Sequence, residues 1–177
     1  MDGQTLAFWT DLLRLPDYEV VHCQADSDLR RYCFTVAPRQ RIGVCSQCKK
    51  ASETVHQTRI REGIKDLSIS RYAVELKVRT MQFHCERCGH AFTPAVPFLA
   101  EGAHATERFL ERAAELVRTS DLANAARFLG VPERTLGDWY YEYVQRQPSQ
   151  EGRKLKPVRH LGIDELSLKK NIVSLSP

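Results

Sequence analysis

Two Cys-x-x-Cys pairs, a strand of period two leading into the second pair, and a run of helical stripes after it predict an α+β fold. The expected architecture is a small zinc-ribbon-like β module with an N-terminal helix and hairpin, then a three-helix domain and a polar tail. By residue number this gives 1–44 for the helix and hairpin, 45–98 for the metal-binding module and 99–147 for the helices. A basic linker over 148–160 and a short final segment over 161–177 complete the chain.

The N-terminal helix rests on Leu6, Phe8, Trp9, Leu12, Leu13 and Leu15, a stripe that stops at Pro16-Asp17. Tyr18 to Gln24 and Arg31 to Val36 have strand composition, with Ala25 to Asp28 as the turn between them. Cys23 and Cys33 fall on these strands, could face one another, and read as buried thiols acting as small hydrophobes.

Cys45-Ser46-Gln47-Cys48 and Cys85-Glu86-Arg87-Cys88 are separated by 36 residues. Two thiolates converge in each turn, and two turns complete the four-sulfur tetrahedron that structural Zn²⁺ takes. With all four positions thiol there is no open position for water, which argues against catalytic zinc. A pair of redox dithiols or unrelated buried cysteines is the alternative; the βαβ setting a redox motif needs is absent. His56, His84 and His90 are alternate ligands, and Lys49, Lys50 and Arg87 could balance the site's negative charge. Gly89 suits the turn after the second pair, where Lys49 is the less comfortable counterpart in the first.

Between the pairs, Tyr72, Val74, Leu76 and Val78 alternate with Arg71, Ala73, Glu75, Lys77 and Arg79. This is a half-buried strand with a largely basic outer face. Pro94 and Pro97 mark an exit loop. Thr106 or a neighbour then opens a helix whose apolar set is Phe109, Ala113, Leu116 and Val117, and Asp121 caps a second with Leu122, Ala125, Ala126 and Leu129. After Gly130-Val131-Pro132, a third helix carries Leu136, Trp139, Tyr140, Tyr143 and Val144. Ala126 and Gly130 have the spacing of a helix-turn-helix, whose third helix would present Glu133, Arg134, Thr135, Gly137, Asp138 and Tyr141 to a major groove. Plain three-helix packing is the other reading.

Charge is unevenly spread along the chain, whose net charge is +4. Residues 39–90 hold 11 basic and 5 acidic groups, and 146–177 hold 7 and 3, while 1–38 and 91–145 are each net acidic. Basic blocks of this kind suit a polyanion, or are ordinary solvated charge. Arg153, Lys154 and Lys156 in the linker could lie along a phosphate backbone. No apolar run approaches the ~18 residues of a membrane span, and no leader pattern opens the chain, so a cytoplasmic protein without a membrane partner is expected.

Taken in order, these segments resemble the transposases of the ISL-three family of insertion sequences. The resemblance runs from Cys45-x-x-Cys48 through Val55-His56, Arg59 to Arg61, Lys65-Asp66-Leu67 and the Tyr72 to Val78 strand to Phe83-x-Cys85-x-x-Cys88, and ends in Leu161-Gly162-Ile163-Asp164-Glu165. Met81 and Gln82 depart from it, standing where the family commonly has arginines. It implies a zinc-binding domain, a helix-turn-helix, and an RNase-H-like catalytic domain in which three acids hold two Mg²⁺ ions. Asp164 matches the first acid, and 13 residues follow it. The expectation is a DNA-binding portion that is catalytically incomplete and not an enzyme by itself, with structural Zn²⁺ as cofactor and Mg²⁺ only in a full-length member. Expected partners are inverted-repeat ends of double-stranded DNA and a second copy or a full-length transposase. The competing readings are a helix-turn-helix regulator of promoters and a zinc-stabilised module that binds protein or RNA.

Overall fold

The computed structural model describes residues 2–147. The linker with Arg153, Lys154 and Lys156, and the Asp164 signature, lie outside the described residues.

Helix α1 spans Gly3–Leu13, and the Asp2 side chain accepts from the Thr5 N–H at 2.8 Å to cap it. It ends before Pro16, which disfavours helical backbone at the preceding residue. Thr10 Oγ1 accepts from the Val20 N–H at 2.9 Å and ties the helix to the first strand.

Strands β1 (Tyr18–Asp26), β2 (Arg31–Pro38), β5 (Val55–Ile69) and β6 (Tyr72–His84) form one sheet in the order β1-β2-β6-β5. The β1–β2 and β5–β6 pairs are antiparallel, and β2 runs parallel to β6. The N-terminal hairpin and the strand leading into the second cysteine pair therefore share one sheet. Three short strands complete the β structure: β3 (Gly43–Val44) pairs with β4 (Ala51–Ser52), and β7 (Ala91–Phe92) pairs with the end of β6.

One face of the sheet is the core. Phe34, Val36, Val74, Leu76 and Val78 are all but inaccessible, and Leu13, Leu15, Tyr18 and Phe98 close over them. Trp9 of α1 packs on Phe34 with centroids 5.1 Å apart, and Tyr18 meets Phe98 edge to face at 5.0 Å. Burial of each large side chain here contributes about 1.5–3 kcal/mol. Cys23 pairs across the hairpin with Phe34, and Cys33 with Gln24. Cross-strand partners share a face and neighbours alternate, so Cys23 faces the core and Cys33 the opposite side; the two thiols do not face each other.

Helices α2 (Glu107–Thr119), α3 (Leu122–Leu129) and α4 (Glu133–Arg146) surround Phe109, Leu110, Ala113, Ala125, Ala126, Val131 and Leu136. The Thr106 and Asp121 side chains cap α2 and α3 as their sequence positions suggested. Gly130, at φ 62°, ends α3 in a left-handed conformation that a Cβ would strain.

This helical unit joins the sheet through a polar clasp. Asp66 on β5, only 2% exposed, accepts from Thr106 Oγ1 at 2.8 Å and from Arg108 Nε at 2.7 Å. A second guanidinium nitrogen of Arg108 bonds the other Asp66 oxygen, and its third donates to the Leu13 carbonyl at 2.7 Å. A buried carboxylate is stable only with such partners. Among the described residues, no helix is long and apolar enough to cross a membrane.

Candidate metal centre and nucleic-acid interface

The two cysteine turns are built alike. In the first, the Cys45 N–H donates to the Lys50 carbonyl at 2.8 Å and the Lys49 N–H to the Cys45 carbonyl at 3.0 Å. In the second, Cys85 N–H to His90 carbonyl is 2.9 Å and Gly89 N–H to Cys85 carbonyl is 2.8 Å. Both turns need a left-handed residue at the same place: Gly89 has φ 70° and Lys49 has φ 60°, so the lysine carries the less favourable side chain there.

Each knuckle is flanked by a two-residue ladder, β3–β4 for the first and β6–β7 for the second, and the flanks are complementary in size. Phe83 and Phe92 stack at 5.8 Å on one side. Opposite them stands Gly43, where a Cβ would lie 2.7 Å from the Phe83 ring. Buried Ser52 donates from Oγ to the His84 carbonyl at 2.6 Å, linking the first knuckle to the second. The size complementarity was not evident in the sequence, because a glycine before a Cys-x-x-Cys has many explanations.

Together the turns bring Cys45, Cys48, Cys85 and Cys88 into one group whose sulfurs all lie within 4.8 Å of one another. Cys45 Sγ is 3.7 Å from Cys88 Sγ, and Cys48 Sγ is 3.4 Å from Cys85 Sγ. These four residues could hold a metal ion. The Cys48 backbone N–H directed at Cys45 lowers that thiol's pKa against the effect of burial, and the Cys88 N–H does the same for Cys85, pushed down to about 6. Cys88 moves the other way: the His90 N–H favours its thiolate, but burial and the crowding sulfurs of Cys85, Cys48 and Cys45 outweigh that and push its pKa up to about 12, as expected where several thiols share one small site. His56, His84 and His90 are exposed, and among the described residues the group holds cysteines only. Lys49, Lys50 and Arg87 are exposed in the knuckle turns.

The outer face of β6 is less basic than its sequence suggests. Glu75 pairs with Arg31 at 3.2 Å and with Lys65 at 2.7 Å, and Glu62 pairs with Lys77 at 3.1 Å. Burial works against the Glu75 carboxylate, but the hydrogen bond and charge of Lys65, with Arg31, hold its pKa below the usual value. Lys77 is thus already matched, and Glu62 raises its pKa. Arg79 is exposed on the strand, whereas Arg71 lies in the β5–β6 turn and not on the strand face. The carboxylates came from strands whose register the sequence did not show.

On α4, Arg134 is exposed, Thr135 half-buried and Tyr141 66% exposed. Gly137, expected on the outward face, is instead buried: a Cβ there would sit 3.3 Å from Leu122 Cδ2, so the glycine lets α3 and α4 approach. Pro132 occupies the cap position of α4 without a side-chain cap, and the helix's first N–H groups are directed beyond its end. Arg134 thus stands beside main-chain donors that favour an anion.

The segment 94–144, which contains α2, α3 and all but the last two residues of α4, matches the family described as the helix-turn-helix domain of transposase family ISL3. Over 141 residues the chain is 26% identical to the transposase for insertion sequence element IS1001 of Bordetella parapertussis, covering 80% of this chain and 34% of that one. It therefore spans about a third of the length of that relative. No solved structure matches the chain significantly. A helical unit lying in the matched segment and a similarity running through most of the remaining sequence make this chain one that resembles the N-terminal part of an ISL3-family transposase, with residues 94–144 similar to that family's helix-turn-helix domain.

Proposed function

We propose that the chain is the zinc-dependent DNA-binding portion of an insertion-sequence transposase, and that it recognises the inverted repeats at the ends of its element. The observation that carries this reading is the match of residues 94–144 to a transposase helix-turn-helix domain. In that reading α4 is the recognition helix, with Arg134 and Thr135 in its first turn and Tyr141 further along meeting base edges or phosphates. Arg71 and Arg79 reach phosphates, while Lys77 is engaged by Glu62 and contributes less.

Zinc is supported by the sulfur geometry. A tetrahedral ion with Zn–S bonds of ~2.3 Å needs sulfurs ~3.8 Å apart, near the 3.7 and 3.4 Å separations here. Four thiolates with no open position make the role structural: the ion would hold β3–β4 against β6–β7, as in a zinc ribbon. The matched domain is not the catalytic part of such a transposase, and strand cleavage is not assigned to residues 2–147. A second copy or a full-length transposase is the protein partner this reading implies.

The test is selection of host genomic fragments by the zinc-loaded chain at physiological salt, with sequencing of the retained DNA. Enrichment of one imperfect repeat at the borders of a mobile element is expected. Enrichment of promoters would replace this reading with a regulator, and no enrichment with a protein- or RNA-binding module. On the selected repeat, Arg134→Ala should narrow the gap between cognate and unrelated duplex by about 1–3 kcal/mol if the arginine reads a base. An equal loss on both duplexes in a titration would make Arg134 a phosphate contact.

A further inference from the structure

The arginines of β5 stand in different electrostatic surroundings from three of the cations on the sheet's outer face. On that face Arg31, Lys65 and Lys77 are each matched by Glu75 or Glu62. Arg59 and Arg61 pair across the ladder with Thr80 and Val78, neither of them acidic, which puts both arginines on the other side of the ribbon. Every residue from Thr58 to Gly63 is exposed. A register shift between Arg61 and Ile64, with Gly63 at φ 69°, separates this arm from the part of β5 anchored by buried Ile64 and Asp66.

β5 is also the last strand in the sheet order, so about half of its amide N–H groups in this arm point away from β6. Alternate residues on one strand face lie roughly 6.6 Å apart, which lets Arg59 and Arg61 address neighbouring phosphates of a single nucleic-acid strand. Outward main-chain N–H groups between them add donors of the kind that position a protein on a backbone without reading sequence.

We propose that the exposed arm of β5 is a phosphate-contact edge for duplex DNA, with Arg59 and Arg61 as its charges. This rests on the DNA-binding reading above and adds a contact separate from the one on α4. Arg146, in the last turn of α4, reaches Glu107 at the start of α2 at 3.6 Å, and Thr106 beside it bonds Asp66 on β5. The end of α4 is therefore the end near the sheet, and Arg134 lies roughly 18 Å further along the helix axis. A duplex touched at both places is gripped at two separated points by one chain.

Arginines on an edge strand also serve to keep that edge from pairing with another copy, and the experiment separates the two roles. The full 177-residue chain, loaded with zinc, is titrated onto a random-sequence duplex longer than two helical turns across a salt series. The Arg59→Ala/Arg61→Ala double variant should lower the slope of log K against log salt by about 1.8, two phosphates at ~0.9 each. Arg59→Lys/Arg61→Lys should keep the slope, since a phosphate needs only a charge. Arg112→Ala, which removes an exposed cation paired with Glu115, should also keep it. An unchanged slope in the alanine variant, with or without self-association, overturns the proposal and leaves the helix-turn-helix reading standing. Absence of salt-dependent duplex binding by the unaltered chain overturns both.

Discussion

Around the four sulfurs the buried apolar side chains are those of Phe83 and Phe92 with Cys45 and Cys85, flanked by Cys48, Val55 and Met81. The helical unit has Phe109, Leu110, Val131 and Leu136 with five alanines, flanked by Leu116, Val117, Leu122, Leu129, Trp139 and Tyr143. The knuckles thus have about two rings to bury, and their ladders are two residues long. At ~25 cal/mol per Å² such a cluster offsets only part of the backbone entropy of two turns. An ion held by the four thiols would supply the remainder; on that reading knuckle stability depends on the thiols, whereas helical stability depends on packed volume.

The comparison is broken most severely by removing the staple. Cys48→Ser, or a strong chelator, should unfold both knuckles while leaving the three helices folded, because a structural zinc contributes on the order of 10–16 kcal/mol at neutral pH. Hydrogen exchange resolved by segment checks it: protection lost around Gly43–Ser52 and Phe83–Phe92 but kept in α2 and α4 is the expected pattern.

The mirror-image experiment is Leu136→Ala, which opens a cavity at a fully inaccessible position of the helical core. A loss of about 2–5 kcal/mol is expected, read from denaturant unfolding followed by Trp139 fluorescence, with metal affinity unchanged in a chelator competition. Loss of metal together with the helices would show the two regions to be one cooperative unit. A smaller effect, about 1–3 kcal/mol, is expected for Gly43→Val, whose side chain must displace the Phe83 ring. That variant should weaken metal retention in the same competition without shifting the helical transition.

Much of this division was legible in the sequence. Cys-x-x-Cys spacing specifies a knuckle almost regardless of context, and caps such as Thr106 and Asp121 act within one turn, so local pattern identifies them. Non-local pairing was not legible. The Arg31–Val36 strand shows its alternation, but nothing in it announces a parallel partner at Ala73–Val78. β5 was missed because Thr58 to Gly63 are exposed on both faces and carry no period-two signal. The sequence alone makes the sheet face look basic because Glu62 and Glu75 become partners of Lys77, Lys65 and Arg31 only once strands are in register. For the same reason the outward face of α4 was legible at Arg134 but not at Gly137, whose neighbour Leu122 belongs to another helix.

The parallel pairing of β2 with β6 has a consequence for the order of assembly during synthesis. A nascent chain completes β2 well before β6 exists, and in that interval one edge of the β1–β2 hairpin has no partner. Both cysteine pairs lie between β2 and the end of β6 or just beyond it, so joining their sulfurs closes the loop that carries β6 back to β2. Loop closure is the slow, entropically opposed part of long-range strand pairing. Captured early, the metal ion would act as a folding accelerant and shorten the time the hairpin edge is open to other chains. Stopped-flow refolding watched through Trp9, which packs on Phe34 of β2, should then quicken as free zinc rises, and a rate independent of zinc would place metal capture after the sheet has closed.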